Sequence, residues 1–464
     1  MKSVVVALIG LASAVALADT KNDLHQDQMA LGRTMQAVVW SLPAVNTELM
    51  LQAALNAGAK PNEIVFWSRP PDWRNQTLTP NPDAIYLMPF FDTKQGPVVL
   101  EIPPAGEEGS VTGNIDDIWQ MPLEDAGPSG ADQGRGGKYL FLPPDYHGQV
   151  PKGYIVLRPP TYSGYALIRS TLRSHEDADI SRAVAYGKRL KMYALADAAK
   201  PPPTRFTDAA GKLFDSTIPY DIRYFQSLDR IVQNEPWIER DKAMIDPLKS
   251  LGIEKGKAFR PDETTRALLE NGARAAHDWI AARSESAYPP YYEGTRWVVP
   301  AAHELLEDAS KGYTEPNIYP VDARAIVYSM GYVGIKRLGA GQFYLMSWRD
   351  KNGDSLDGGK HYRLQVPPNA PVKQYWSVTA YDRDTHALIK DVPRASRSSQ
   401  IADMQKNANG SVDIFFGPEA PAGHESNWVP TRRGEPFELL FRLYAPTEPL
   451  FKKTWTLPDL EKDG

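Results

Sequence analysis

The chain has no cysteine, which removes disulfide staples, thiol nucleophiles and thiolate metal sites together and leaves stability to buried apolar area. It also lacks a basic surplus. Lys and Arg number 52 against 57 Asp and Glu, a formal charge of −5, so sequence-independent attraction to nucleic acid has no footing and no nucleic-acid partner is expected. Beyond the first residues no apolar run approaches the roughly 20 residues of a membrane-spanning helix, and mean hydropathy is negative. No Gly-x-Ser-x-Gly elbow marks a serine hydrolase. Glycine-rich phosphate loops and the dinucleotide fingerprint are missing too, and no cofactor is expected. The eight histidines (His25, His147, His175, His277, His303, His361, His386, His424) stand apart, with no pair at the i, i+4 spacing of a zinc helix, and His303-Glu304 lacks the second histidine of a zinc protease.

What is present begins with a leader. Lys2, an apolar run from Val4 to Leu17 and the small-residue close Ala16-Leu17-Ala18 before Asp19 form the pattern of a secretory signal. Cleavage is expected there, with the mature product periplasmic or secreted. Losing Lys2 takes the formal charge from −5 to −6, since no other charged residue precedes Asp19. At 464 residues the chain is long enough for two or three domains, each with its own core.

Forty Pro and 34 Gly are scattered rather than clustered, among 22 Tyr, 14 Phe and 11 Trp, which favours many short strands separated by turns. Helical spacing is confined to a few windows. His25 to Ala59 reads as two helices meeting at Pro43, and Asp177 to Ala199 as one helix stopped by Pro201, Pro202 and Pro203. Asp262 to Arg283 puts Leu268, Leu269, Ala273, Ala276, Trp279 and Ile280 on one face, with Asp262 as cap. From Ile64 to Ser170, and again after Tyr319, short β-branched and aromatic runs bounded by Pro or Gly read as strands of a sandwich or barrel. The expected organisation is a signal peptide at 1–18, helices plus a β-sandwich over 19–200, a helical middle over 201–319 and a second β-sandwich over 320–464. The fold class is mainly β with helical segments (α+β).

Several runs carry a resemblance. Thr79-Pro80-Asn81-Pro82-Asp83-Ala84-Ile85-Tyr86, Gly96-Pro97-Val98-Val99, Asp116-Asp117-Ile118-Trp119 and Arg158-Pro159-Pro160-Thr161 are similar to the domain of unknown function numbered 1254. Tyr375-Trp376-Ser377-Val378-Thr379-Ala380-Tyr381-Asp382, Gly417-Pro418, Asn427-Trp428 and Arg442-Leu443-Tyr444-Ala445-Pro446 resemble the domain numbered 1214, and Leu251 to Gly256 looks like the family's middle region. The resemblance implies a jelly-roll-like β-sandwich in each half. It implies no activity and no residue roles.

The residues themselves nominate sites. Asp83 and Tyr86, with Asp116, Asp117 and Trp119, combine carboxylates suited to general acid–base work with aromatic faces for an apolar or sugar ring. The competing reading has Asp83 capping a turn through backbone N–H groups and Tyr86 in the core. Arg158, Arg169 and Arg442 interrupt apolar strands, where a cation must be paired or face a ligand; the alternatives are the solvent face of an edge strand or pairing with nearby Asp residues, and pairing is the expectation. Trp376, Tyr381, Trp428 and Tyr444 are expected to build the sandwich core. Asp350, Asn352, Asp354 and Asp357 place oxygens at alternating positions, as a calcium loop does, but Gly353 stands fourth rather than sixth and the twelfth-position Glu is missing; a hairpin turn is the simpler reading.

Two functional readings follow. One is a protein holding a small-molecule, glycan or lipid fragment between aromatic walls in the cell envelope. The other is a hydrolase or lyase acting on an envelope or polysaccharide substrate through Asp83, Tyr86 and Asp117, with Trp119, Arg158 and Arg169 binding ligand. Either leaves room for a homo-oligomer.

Overall fold

The structure, a computed structural model, describes residues 4–331, 334–337 and 341–463, with side chains from residue 25 onward. The side chains of the expected leader at 1–18 lie outside that range. Among the described residues the α-helices are α1 (Val4–Asn56), α2 (Asp177–Gly187), α3 (Ile222–Asn234), α4 (Ile245–Ser250), α5 (Glu263–Ala287), α6 (His303–Ser310), α7 (Val321–Tyr328) and α8 (Glu448–Phe451). No helix of the described residues is long and apolar enough to cross a membrane. Contacts divide the chain into two compact units: the residues up to Ser41 with Pro219–Ala281, and Leu42–Ile218 with Ala282–Gly464.

The first unit is helical. Asp221 caps α3 by accepting the Arg223 N–H, and Asp262 caps α5 through the Thr265 N–H at 2.8 Å, as its position predicts. The apolar face of α3 buries Tyr224, Phe225, Leu228 and Ile231. The Tyr224 hydroxyl donates to the Val38 carbonyl at 2.8 Å, and Trp40 Nε1 to Asp241 at 3.0 Å. Gly272 lets α5 close on α1, since a Cβ there would fall 2.3 Å from Thr34 Cγ2.

The second unit holds the sheets. Its first half lays down β1 (Ile64–Phe66), β2 (Asn75–Gln76), β3 (Ile85–Asp92), β4 (Val98–Ile102), β5 (Val111–Asp117), β6 (Pro122–Ala126), β7 (Gly137–Phe141), β8 (Ile155–Leu157), β9 (Ser163–Ser170), β10 (Lys191–Ala194), β11 (Phe206–Asp208) and β12 (Phe214–Asp215). Six of these form a sheet in the order β11-β1-β3-β9-β5-β6, and four a sheet in the order β10-β4-β7-β8. The second half adds β13 (Gln342–Ser347), β14 (Tyr362–Val366), β15 (Trp376–Asp382), β16 (Ser396–Ser398), β17 (Val412–Gly417), β18 (Trp428–Pro430), β19 (Phe437–Tyr444) and β20 (Glu461–Lys462). These make two sheets, β13-β19-β15-β16 and β18-β17-β14-β20. The mixed α+β class follows directly.

Each pair of sheets closes over its own core. In the first half Leu87, Ala166 and Ile168 meet Val98, Leu100, Tyr139 and Phe141, and Phe91 stacks on Phe141 with ring centroids 4.1 Å apart. In the second, Leu345, Val378, Leu439 and Phe441 meet Leu364, Ile414 and Phe416. Each such side chain, fully buried, contributes roughly 1.5–3 kcal/mol.

Two local expectations change. Helix α1 runs through Pro43 instead of breaking there. Proline costs a helix its N–H partner, but Leu42, Ala44, Val45, Asn46 and Thr47 are all buried, and the Pro43 carbonyl accepts Gln120 Nε2 at 3.0 Å and Thr47 Oγ1 at 3.2 Å; packing holds the turn. The Asp177 to Ala199 window is α-helical only to Gly187, with a single 3-10 turn at Leu195–Asp197. Between the two, Lys191–Ala194 forms an edge strand against β4, because Met192 and Tyr193 gain buried positions there.

Candidate binding chamber

Strand side chains alternate between faces. On β9, Ala166 and Ile168 enter the first core, so Tyr165, Leu167 and Arg169 must point the other way. On β19, Leu439, Phe441 and Leu443 enter the second core, leaving Leu440, Arg442 and Tyr444 on the reverse face. The reverse face of β19 is covered as well, every residue of that strand being buried, while Leu167 and Arg169 of β9 are half-buried. Between these two faces the second unit holds a partly open cavity of about 580 Å³, within the roughly 300–1,000 Å³ typical of small-molecule sites.

Each inner sheet contributes the same device to the wall. Tyr86 on β3 and Arg169 on β9 are direct cross-strand partners, with the guanidinium carbon 5.5 Å from the ring centroid. Tyr344 on β13 and Arg442 on β19 are partners in the same way, at 5.4 Å. Both pairs line the cavity. The Arg442 fork donates to Thr379 Oγ1 at 3.0 Å, the Thr79 carbonyl at 2.9 Å and the Tyr381 hydroxyl at 2.6 Å. Two residues along each of the four strands the wall turns apolar, at Met88, Leu167, Met346 and Leu440. A strand advances about 3.3 Å per residue, so this apolar layer lies roughly 7 Å from the Tyr–Arg layer. Burial pushes the Tyr375, Tyr381 and Tyr444 phenols up, which keeps them protonated.

The segment from Thr79 to Asp83 closes one side. The Tyr381 hydroxyl donates to the Pro80 carbonyl at 2.7 Å, and Asn81 Nδ2 to the Tyr444 hydroxyl at 2.6 Å. Asn81 Oδ1 accepts the Asp83 N–H at 3.0 Å, and the Tyr86 hydroxyl accepts the Asn81 N–H at 2.9 Å. Asp83 is 3% exposed; Ser396 Oγ donates to one oxygen at 2.8 Å, and His175 Nε2 stands 3.4 Å from the other.

The family model described as a protein of unknown function, DUF1254, matches residues 61–194, and DUF1214, described likewise, matches residues 341–448. The chain carries DUF1254 followed by DUF1214. No curated protein matches it. Among solved structures, the VPA0106 protein of Vibrio parahaemolyticus is similar at 19% identity, with 94% of this chain and 100% of that one covered and a TM-score of 0.58, a likeness of fold. An uncharacterized protein from Burkholderia cenocepacia, at 12% identity and 95% coverage of each chain, gives a TM-score of 0.42. Arg169 falls in the DUF1254 match and Arg442 in the DUF1214 match, so each domain supplies one Tyr–Arg pair to the chamber.

The nominated residues separate accordingly. Asp83, Tyr86 and Arg169 line the chamber. In DUF1254 the turn cap belongs to Asn81 rather than to Asp83, whose carboxylate meets side chains. Asp117 lies off the lining; its Oδ1 accepts the N–H groups of Trp119 and Met121 at 2.8 and 3.0 Å and shapes the turn between β5 and β6. Trp119 is buried, and its carbonyl receives the buried Arg324 of α7. Arg158 is exposed and does not line the cavity. The Asp partners expected for Arg169 and Arg442 are not there: among the described residues no carboxylate stands at ion-pair distance, because both side chains leave the strands on the chamber face.

In DUF1214, Trp376 does enter the core, stacked on Phe441 at 5.4 Å. Tyr381 and Tyr444 instead face the chamber side, as alternation requires, and Trp428 sits half-buried on an edge strand with Nε1 donating to the Gly417 carbonyl at 2.9 Å. The Asp350 to Asp357 segment is a turn. Asp350 Oδ1 accepts the N–H groups of Asn352 and Asp354, Lys462 Nζ pairs with Asp350 at 3.2 Å and Asp354 at 2.5 Å, and Asp357 pairs with Lys360 at 3.3 Å. Those oxygens are spent on backbone and lysine. Among the described residues no group of three or more His, Asp or Glu is placed to hold a metal. Tyr344, Ser396 and the approach of His175 to Asp83 escaped the sequence reading; for Tyr344 the period-two alternation of β13 against β19 was the available signal.

Proposed function

We propose that this chain is an exported binding protein that holds one small amphipathic molecule, of lipid-fragment type, in the chamber between its two sandwiches. The observation that carries the reading is the layering of the cavity wall, with Tyr–Arg pairs at one level and Met88, Leu167, Met346 and Leu440 at the next. A molecule with one polar end and an apolar body matches both layers, whereas a glycan needs polar partners along its whole length. Isothermal titration with decanoate should give one site per chain. Leu167→Trp fills the apolar layer from a position already facing open space, so it should keep the fold and weaken binding by at least about tenfold, or ~1.4 kcal/mol. Equal binding by the variant would remove the chamber from consideration.

The corner formed by Asp83, His175 and Ser396 favours a second reading, a hydrolase or lyase on an envelope or polysaccharide substrate. The order of contacts runs Ser–Asp–His, with the carboxylate in the middle, so it offers general acid–base chemistry and no serine activated by histidine. Asp83→Asn with ligand affinity intact and turnover abolished would support this reading; unchanged turnover would dismiss it.

A further inference from the structure

We infer that the chamber captures its ligand by a carboxylate head group, held between Arg169 of the first half and Arg442 of the second. The inference rests on the binding reading above and narrows it to a ligand class.

A guanidinium is charged at every accessible pH, and burying one without a counter-charge is costly. Arg442 is 2% exposed, and its hydrogen-bond partners are a threonine hydroxyl, a backbone carbonyl and a tyrosine hydroxyl, all neutral. Arg169 is half-buried; its Nε is buried with no hydrogen-bond partner, and the rest of its fork meets the neutral Tyr86 phenol. Two independent strands therefore deliver two cations to one cavity, and the same three phenols, Tyr86, Tyr344 and Tyr444, lie within electrostatic reach of both. Neutral phenols can orient a cation but cannot cancel its charge. The missing partner is an anion, and the space for it is the chamber.

The donor count selects the anion. Most of the Arg442 fork is already used, so the open hydrogen-bonding capacity comes chiefly from Arg169, with Arg442 adding charge. That suits the two oxygens and single charge of a carboxylate. A phosphate monoester, with about two charges and three acceptor oxygens, calls for more donors than remain. Asp83 also lines the wall, which lowers the local positive charge and penalises a dianion further.

The test compares decanoate, decanol, decylamine and decyl phosphate on the full chain by isothermal titration at constant ionic strength. The inference predicts decanoate tightest, at least about tenfold over decanol. In Arg169→Gln that preference should collapse while decanol affinity stays within about twofold; should Arg169→Gln fold poorly, Arg169→Lys should retain part of the preference, because it keeps the charge and loses the fork. Decanol equal to decanoate, or decylamine preferred, overturns the carboxylate site and leaves the amphiphile chamber standing. Decyl phosphate tightest replaces the carboxylate by a dianion and overturns the inference as stated. If none of the four binds, the chamber reading itself falls, and the inference with it.

Discussion

Asp116 shows how a residue that looks catalytic in sequence can be something else. It is fully buried, neither carboxyl oxygen has a hydrogen-bond partner, and it does not line the chamber. Burial first, then the neighbouring Asp117 and Asp125, hold its pKa well above the ordinary 3.8, against a smaller opposing pull from Arg324. A carboxyl whose folded pKa is raised stabilises the fold fully below its unfolded value and loses that contribution as pH rises toward the folded value. Asp116→Asn should therefore gain on the wild type as pH rises above the ordinary carboxylate range, measured as the difference in melting temperature between the two. The absolute gap depends on how the amide is accommodated, but its slope with pH does not; a flat difference would mean that Asp116 is ionised in the folded chain. At this scale the sequence marked Arg169 and Arg442 because charge inside apolar strands is conspicuous, and Asp83 and Tyr86 because a carboxylate on a turn stands beside an aromatic ring. It could not tell which of the clustered acids faced a cavity, since Asp117 is taken up by its own turn while the partners of Asp83, His175 and Ser396, come from far along the chain.

Elements were the most legible level. The helix cap at Asp262 follows from local chemistry, and alternation in β9 and β19 assigns a core face and a reverse face by counting, the signal that corrects the expectation of Tyr444 in the core. What escaped was decided by partners: β10 is a strand because β4 offers it an edge, and α1 passes Pro43 because buried neighbours hold it. Close packing of strands makes one glycine a sharp test. A Cβ at Gly164 on β9 would lie 2.3 Å from the Asp116 carbonyl oxygen and 2.3 Å from the Phe91 ring, while one at Gly106 would meet nothing within 4 Å. Gly164→Ala should cost about 1–3 kcal/mol in urea unfolding, against little change for Gly106→Ala. Equal effects would show that β5 and β9 are not paired in this register.

For the molecule as a whole, the sequence pointed to two β-rich halves, and the DUF1254 and DUF1214 matches fall on them. The chamber was not legible, because it exists only where the reverse faces of β3 and β9 look toward those of β13 and β19, residues separated by some 170 positions or more in the chain. Its role is the central claim, and a crystal structure of the full chain grown with decanoate tests it most directly. The account predicts one molecule between the two inner sheets, its chain against Leu167 and Leu440 and its carboxylate at Arg169. Decanoate bound only on the outer surface, or a chamber filled by the protein's own side chains, would contradict it.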